Sequence, residues 1–181
     1  IAHNLNNSHG GAGCVRAGIT YQNCKFINNS ADQGGALTYH ASGNIKDCFF
    51  INNSAKLYGG ALSTGYIDMD MNLKMANCNF EQNNAPYGGA VQLKGKNIEI
   101  QKSTFNKNVA SVNGGAVNII AKTVTIDDVD FNKNIANVNG GAVYINGYKT
   151  TVVDSSFIAN EAIPDAVSYT HLRAHETEAD L

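Results

Sequence analysis

The sequence predicts an all-β protein, a right-handed parallel β-helix of about six coils, each about 24–30 residues long with three short strands. Three observations predict it. Gly-Gly-Ala begins at Gly10, Gly34, Gly59, Gly88, Gly114 and Gly140, so successive pairs lie 24, 25, 29, 26 and 26 residues apart. Phe-x-x-Asn keeps step with it, at Phe26, Phe50, Phe80, Phe105, Phe131 and Phe157. Between these marks, apolar and polar residues alternate with the period of a half-buried strand, and no segment carries a helical stripe.

Aligned on Phe, the columns take on physical meaning. Five positions before it stand Tyr21, Ile45, Met75, Ile100, Ile126 and Val152; two before it stand Cys24, Cys48, Cys78, Ser103, Val129 and Ser155. After Gly-Gly-Ala come Leu37, Leu62, Val91, Val117 and Val143. Val, Ile, Thr, Tyr and Phe dominate these columns, as strands prefer. One strand therefore follows Gly-Gly-Ala, one centres on Val124–Ile126, and one leads into Phe131. Short parallel strands joined by tight turns stack coil on coil, with like residues about 4.8 Å apart. Right-handedness follows from the general hand of parallel crossovers and from the lack of the six-residue period of left-handed helices.

The recurring frame of each coil is structural. Gly34-Gly35 and Gly114-Gly115 suit a corner with positive φ or a close backbone approach. Phe50 and Phe131 fill the interior. Asn53 and Asn134 suit a second corner, because Asn tolerates left-handed backbone and its amide can bond nearby backbone or the Asn one coil away. The Ala column two residues further on, from Ala31 to Ala162, is small enough to let that corner close.

Residues 1–166 are expected to form one array, opening inside a repeat and therefore a segment of a longer protein. From residue 167 the pattern stops: Ala166-Val167 stand where the next glycine pair is due. Residues 167–181 resemble translated sequencing-adapter reads and are set apart as non-native. The His171-x-x-x-His175 pair lies there and is assigned no role. That tail holds Arg173 against Glu176, Glu178 and Asp180, so of 13 basic and 15 acidic residues the body keeps 12 of each. A neutral body argues against nucleic acid as a partner. No apolar run reaches the 18 residues of a transmembrane helix.

Gly-Gly-Ala-[Val/Leu] together with Phe-x-x-Asn resembles the repeat of chlamydial-type polymorphic outer-membrane proteins and of related adhesin-like surface proteins. The resemblance runs from Ile1 to about Ala162. It implies a pectin-lyase-like β-helix displayed at the cell surface as an autotransporter-like passenger or stalk. It also implies host or neighbouring-cell proteins or glycans as partners, and no cofactor. The β-helix architecture hosts polysaccharide lyases and hydrolases too, so a fragment of such an enzyme is the alternative.

Few residues offer chemistry. Asp128 and Asp154 share a column one coil apart, with Asp130 beside Asp128, and clustered carboxylates can hold calcium. The bland reading is solvent-facing strand residues, since no base or His stands in a neighbouring position, and no catalytic constellation is expected. Cys24, Cys48 and Cys78 occupy inward positions of consecutive coils, either as a ladder of small buried thiols or as disulfide partners. The coil after Gly59 carries a surplus around residues 65–71, and Tyr66, Asp68 and Asp70 there are candidates for a ligand loop.

Overall fold

A computed structural model describes residues 8–65 and 70–163. Within them every regular element is a strand, and every strand pairing is parallel. The sequence columns superpose in register. Val91 pairs Val117, which pairs Val143; Ile100 pairs Ile126, which pairs Val152. Phe26, Phe50, Phe80, Phe105, Phe131 and Phe157 form one unbroken column. Their rings stack inside the rod, with centroids 4.7 Å apart and planes 2° apart at Phe50–Phe80 and at Phe80–Phe105. Parallel strands rise one interstrand spacing per coil, so identical rings necessarily meet face to face.

The three expected segments are present. In one coil they are separate, Leu37–Tyr39, Gly43–Lys46 and Phe49–Ile51; further along they merge into single bent strands, Val91–Asn106 and Val117–Asn132. A fourth segment, unexpected, follows the Asn corner and builds its own six-stranded sheet, including Ser54–Tyr58, Asn84–Tyr87 and Val109–Asn113. The Ala column lies in it: Ala31 pairs Ala55, and Ala85 pairs Ala110. Ala is thus the small inward residue of a strand rather than a corner filler. One inward residue per strand is too little apolar signal to announce it.

The corners hold a correction as well. The ladder Asn is not left-handed; the residue before it is, at Asn28, Asn52, Gln82, Lys107, Lys133 and Ala159, with φ between 51° and 58°. A second left-handed corner precedes the Phe strand, at Asn23, Asp47, Asn77, Lys102, Asp128 and Asp154. The glycine pair divides two demands between its members. Gly114 has φ 67°, and a Cβ there would lie 2.2 Å from the Val117 carbonyl oxygen. A Cβ on Gly115 would lie 1.9 Å from the carbonyl oxygen of Gly141 on the next coil. The first glycine makes the turn and the second lets the coils close.

Leu37, Ile45, Phe50, Leu73, Ile100, Val124 and Phe131 belong to one continuous core. In the last described coil the inward column opens to solvent, with Val152 42% and Phe157 51% exposed.

Candidate functional site

The carboxylates do not converge. Asp128 (φ 55°) and Asp154 (φ 47°) occupy the left-handed corner, a conformation that Asp and Asn accept more readily than most residues. Their column exists for backbone geometry. Asp130 lies beyond that corner, and its Oδ1 accepts a hydrogen bond from Ser156 Oγ of the next coil. Among the described residues no three His, Cys, Asp or Glu side chains form a group able to hold a metal ion. Asp128 and Asp154 thus serve the corner, while Asp130 bonds Ser156 beyond it. Asp47, in the same column, accepts from Asn77 Nδ2 and from Gln22 Nε2 at 3.3 Å. The Asn77 bond leads in holding its carboxyl below the usual range.

The thiols are structural too. Cys48 Sγ donates to the Lys46 carbonyl at 3.0 Å and Cys78 Sγ to the Ala76 carbonyl at 3.3 Å, each reaching back two residues across the corner. Ser103 and Ser155 repeat the bond with their hydroxyls, at 2.6 and 2.7 Å. All four cysteines are free. Burial pushes the Cys78 thiol up to about 12 and raises Cys48 as well, so neither offers a thiolate at neutral pH.

Of the proposed ligand loop, Tyr66 and Asp68 lie outside the described residues. Asp70 is exposed in a turn, and Met71, 3% exposed, belongs to the core. The proposed non-native segment, 167–181, also lies outside them.

Outside the core, each coil folds back at its glycine pair and covers a second buried row that the sequence did not announce. Position 38 and its equivalents point away from the core, between Leu37 and Tyr39 in the first case, yet they are buried: Thr38 and Ser63 0%, Gln92 2%, Asn118 4% exposed. They are in register with one another and form one row. The fold-back brings the strand before the glycines over them, so that Thr38 Oγ1 donates to the Gln33 carbonyl at 2.8 Å. Along that covering strand His9 pairs Gln33, Gln33 pairs Tyr58, Tyr58 pairs Tyr87 and Tyr87 pairs Asn113. Beyond the row stand His40, Lys94 and Ile120, the last two in register. His9 and His40 meet edge to face at 5.3 Å, and Lys94 Nζ lies 6.0 Å from the Tyr58 ring centre. Burial, then the charges of His9 and Arg16, lowers the His40 pKa.

Fold and repeats together define a parallel β-solenoid built of Gly-Gly-Ala/Phe-x-x-Asn coils. Residues 47–65, 102–119 and 128–146 match the Chlamydia polymorphic membrane protein (Chlamydia_PMP) repeat. Each match runs from at or near the left-handed corner, through the Phe and Asn ladders, to the strand after the glycine pair. No curated protein and no solved structure matches the chain. The repeat family is one of surface-associated, adhesin-like, autotransporter-type proteins and is in general non-enzymatic. Among the described residues no helix is long and apolar enough to cross a membrane, which says nothing of a β-barrel.

Proposed function

We propose that this chain is a non-catalytic, adhesin-like binding module at the cell surface, offering the faces of a stiff β-helix to proteins or glycans of a host or neighbouring cell. Residues 1–166 act as one array, and residues 167–181 take no part. The observation that carries the reading is the regularity of the coils. Asp47, Asp128 and Asp154 serve the left-handed corner, and Cys48 and Cys78 bond carbonyls across it. Catalysis by a β-helix would need ionisable groups that break this pattern and converge.

Mechanism here is geometric. In-register stacking fixes outward side chains in straight rows, so a partner meets a preorganised surface and little ordering entropy opposes binding. The purified protein, incubated with cultured cells, pectin and alginate, should be retained by a surface component and leave both polysaccharides intact. Cleavage of either would overturn the reading in favour of a polysaccharide-processing β-helix.

A further inference from the structure

We infer that an open notch at the second left-handed corner, beside Phe49, binds a neutral sugar of one or two units. The inference rests on the adhesin reading and gives it a site and a ligand class. The notch has a volume of about 360 Å³, and Asp47, Phe49, Asn77, Asn79, Lys102 and Thr104, from three consecutive coils, are among its lining residues. That volume lies at the small end of ligand sites, enough for a sugar unit or two and too little for a long chain.

Two departures from the regular rod meet there. Phe49 is 43% exposed in an outward column that is polar elsewhere, at Lys25, Asn79, Thr104, Asp130 and Ser156. Lys25, one coil before, holds its Nζ 5.7 Å from the Phe49 ring centre, so the ring face toward the shorter Asn79 borders the notch. The second departure concerns pairing. Outward polar side chains on this rod pair down their columns: Asn52 with Asn28, Asn97 with Asn72, Asn139 with Asn113 and Ser156 with Asp130. Lys102 and Thr104 are exposed and, among the described residues, make no side-chain hydrogen bond or ion pair.

The chemistry of these groups selects the ligand. Asp47 accepts from Asn77 and Gln22, with Lys46 Nζ 3.9 Å away, and its side chain is 24% exposed. A carboxylate has about four acceptor sites, so about two stay open to ligand hydroxyls. Thr104 can donate and accept, and Lys102 only donates. A pyranose answers this set, because each of its hydroxyls does both and its C–H face suits the flat ring of Phe49. Asp47 and Lys102 balance in charge, which favours a neutral sugar over an anionic one. An aromatic face with a few fixed polar groups is the usual make-up of a small-ligand site.

The test is a nuclear magnetic resonance titration of the whole isotope-labelled protein with the methyl glycosides of glucose, galactose, mannose and N-acetylglucosamine, and with galacturonate as the anionic comparison. At least one neutral glycoside should shift the amide signals of Asn77, Asn79 and Thr104, with a Kd on the order of 1 mM. Asp47→Asn removes the carboxylate but keeps the corner, since Asn23 and Asn77 hold the same column with positive φ. That variant and Phe49→Ala, at an exposed position, should each weaken binding about tenfold. Ser111→Ala, exposed on the fourth-segment sheet, should leave it unchanged. No shift with any neutral glycoside, a response to galacturonate alone, shifts confined to other residues, or binding indifferent to both notch variants would each overturn the inference. Retention on cells is read in parallel, with the same glycosides as competitors. Release by the glycoside that binds identifies the ligand as the end of a surface glycan. If retention persists while no glycoside binds, the notch assignment falls and the adhesin reading stands. If a glycoside binds and cells retain nothing, the notch serves a free sugar and the adhesin reading falls.

Discussion

Asn83 and Asn108, one coil apart, are joined twice. The Asn108 Oδ1 accepts both the side-chain Nδ2 and the backbone N–H of Asn83, each at 3.0 Å. The Asn108 Nδ2 in turn donates to the Phe80 carbonyl at 3.0 Å. The same pattern recurs at Asn53, Asn83, Asn108 and Asn134. An amide is the side chain that accepts on one side and donates on the other, so the column propagates without a break.

Asn108→Ala strands the buried Asn83 N–H and the Phe80 carbonyl together. At about 1–3 kcal/mol for each unsatisfied group, the loss should come to about 2–6 kcal/mol. Asn108→Asp keeps the shape but puts a carboxylate oxygen against the Phe80 carbonyl, so it should not rescue. Urea unfolding of the three proteins, followed by circular dichroism, checks both statements.

Val124 lies at 0% exposure between Ile98 and Thr150. Val124→Asp places an unpaired charge inside the rod, and the surrounding coils should unfold at a cost of several kcal/mol. Thr125→Asp, the next residue on the outward side, should melt within a few degrees of the parent. Equal melting of the two variants would contradict the inward assignment.

The thiols should separate by reactivity. Exposed Cys14 should be alkylated by N-ethylmaleimide in the native protein, while Cys48 and Cys78 should react only after denaturation. Peptide mass spectrometry gives the order directly.

His40 makes stability depend on pH in a stated direction. Its folded pKa lies below the unfolded value, so on acidification the unfolded chain takes up the proton first. Stability should therefore fall as pH drops through about 6.5 and level off once the folded His40 also titrates. His40→Gln should flatten that part of a melting-temperature profile between pH 7 and 5. Loss below pH 4 should remain, because Lys56 holds the Asp32 carboxyl below its usual value, and protonation there removes a native ion pair.

The coil frame was readable because its residue types are dictated by geometry at single positions. Gly114 must turn with positive φ, Gly115 must let Gly141 approach, and Phe131 must stack on Phe105. The left-handed residue before the ladder Asn was not readable. Its column mixes Asn28, Gln82, Lys107 and Ala159, because the Asn ladder imposes the conformation from outside. Ser54–Tyr58 escaped notice since only Ala55 in it turns fully inward. The buried polar row was hidden for a tertiary reason. Strand alternation marks Thr38, Gln92 and Asn118 as solvent-facing, and only the fold-back at the glycine pair covers them.

In-register stacking is the claim from which ladders and rows all follow, and cross-linking tests it most directly. Thr125 pairs Thr151 on the outer face, and Asp127 pairs Val153. In a Cys14→Ser background, cysteines at 125 and 151 should have Cα atoms about 4.8 Å apart, within disulfide reach. Cysteines at 125 and 153 should be about 8 Å apart, beyond it. Mild oxidation followed by peptide mass spectrometry should find a 125–151 disulfide and no 125–153 disulfide. A 125–153 bond forming as readily as 125–151 would contradict the stacking, and with it the account of the whole rod.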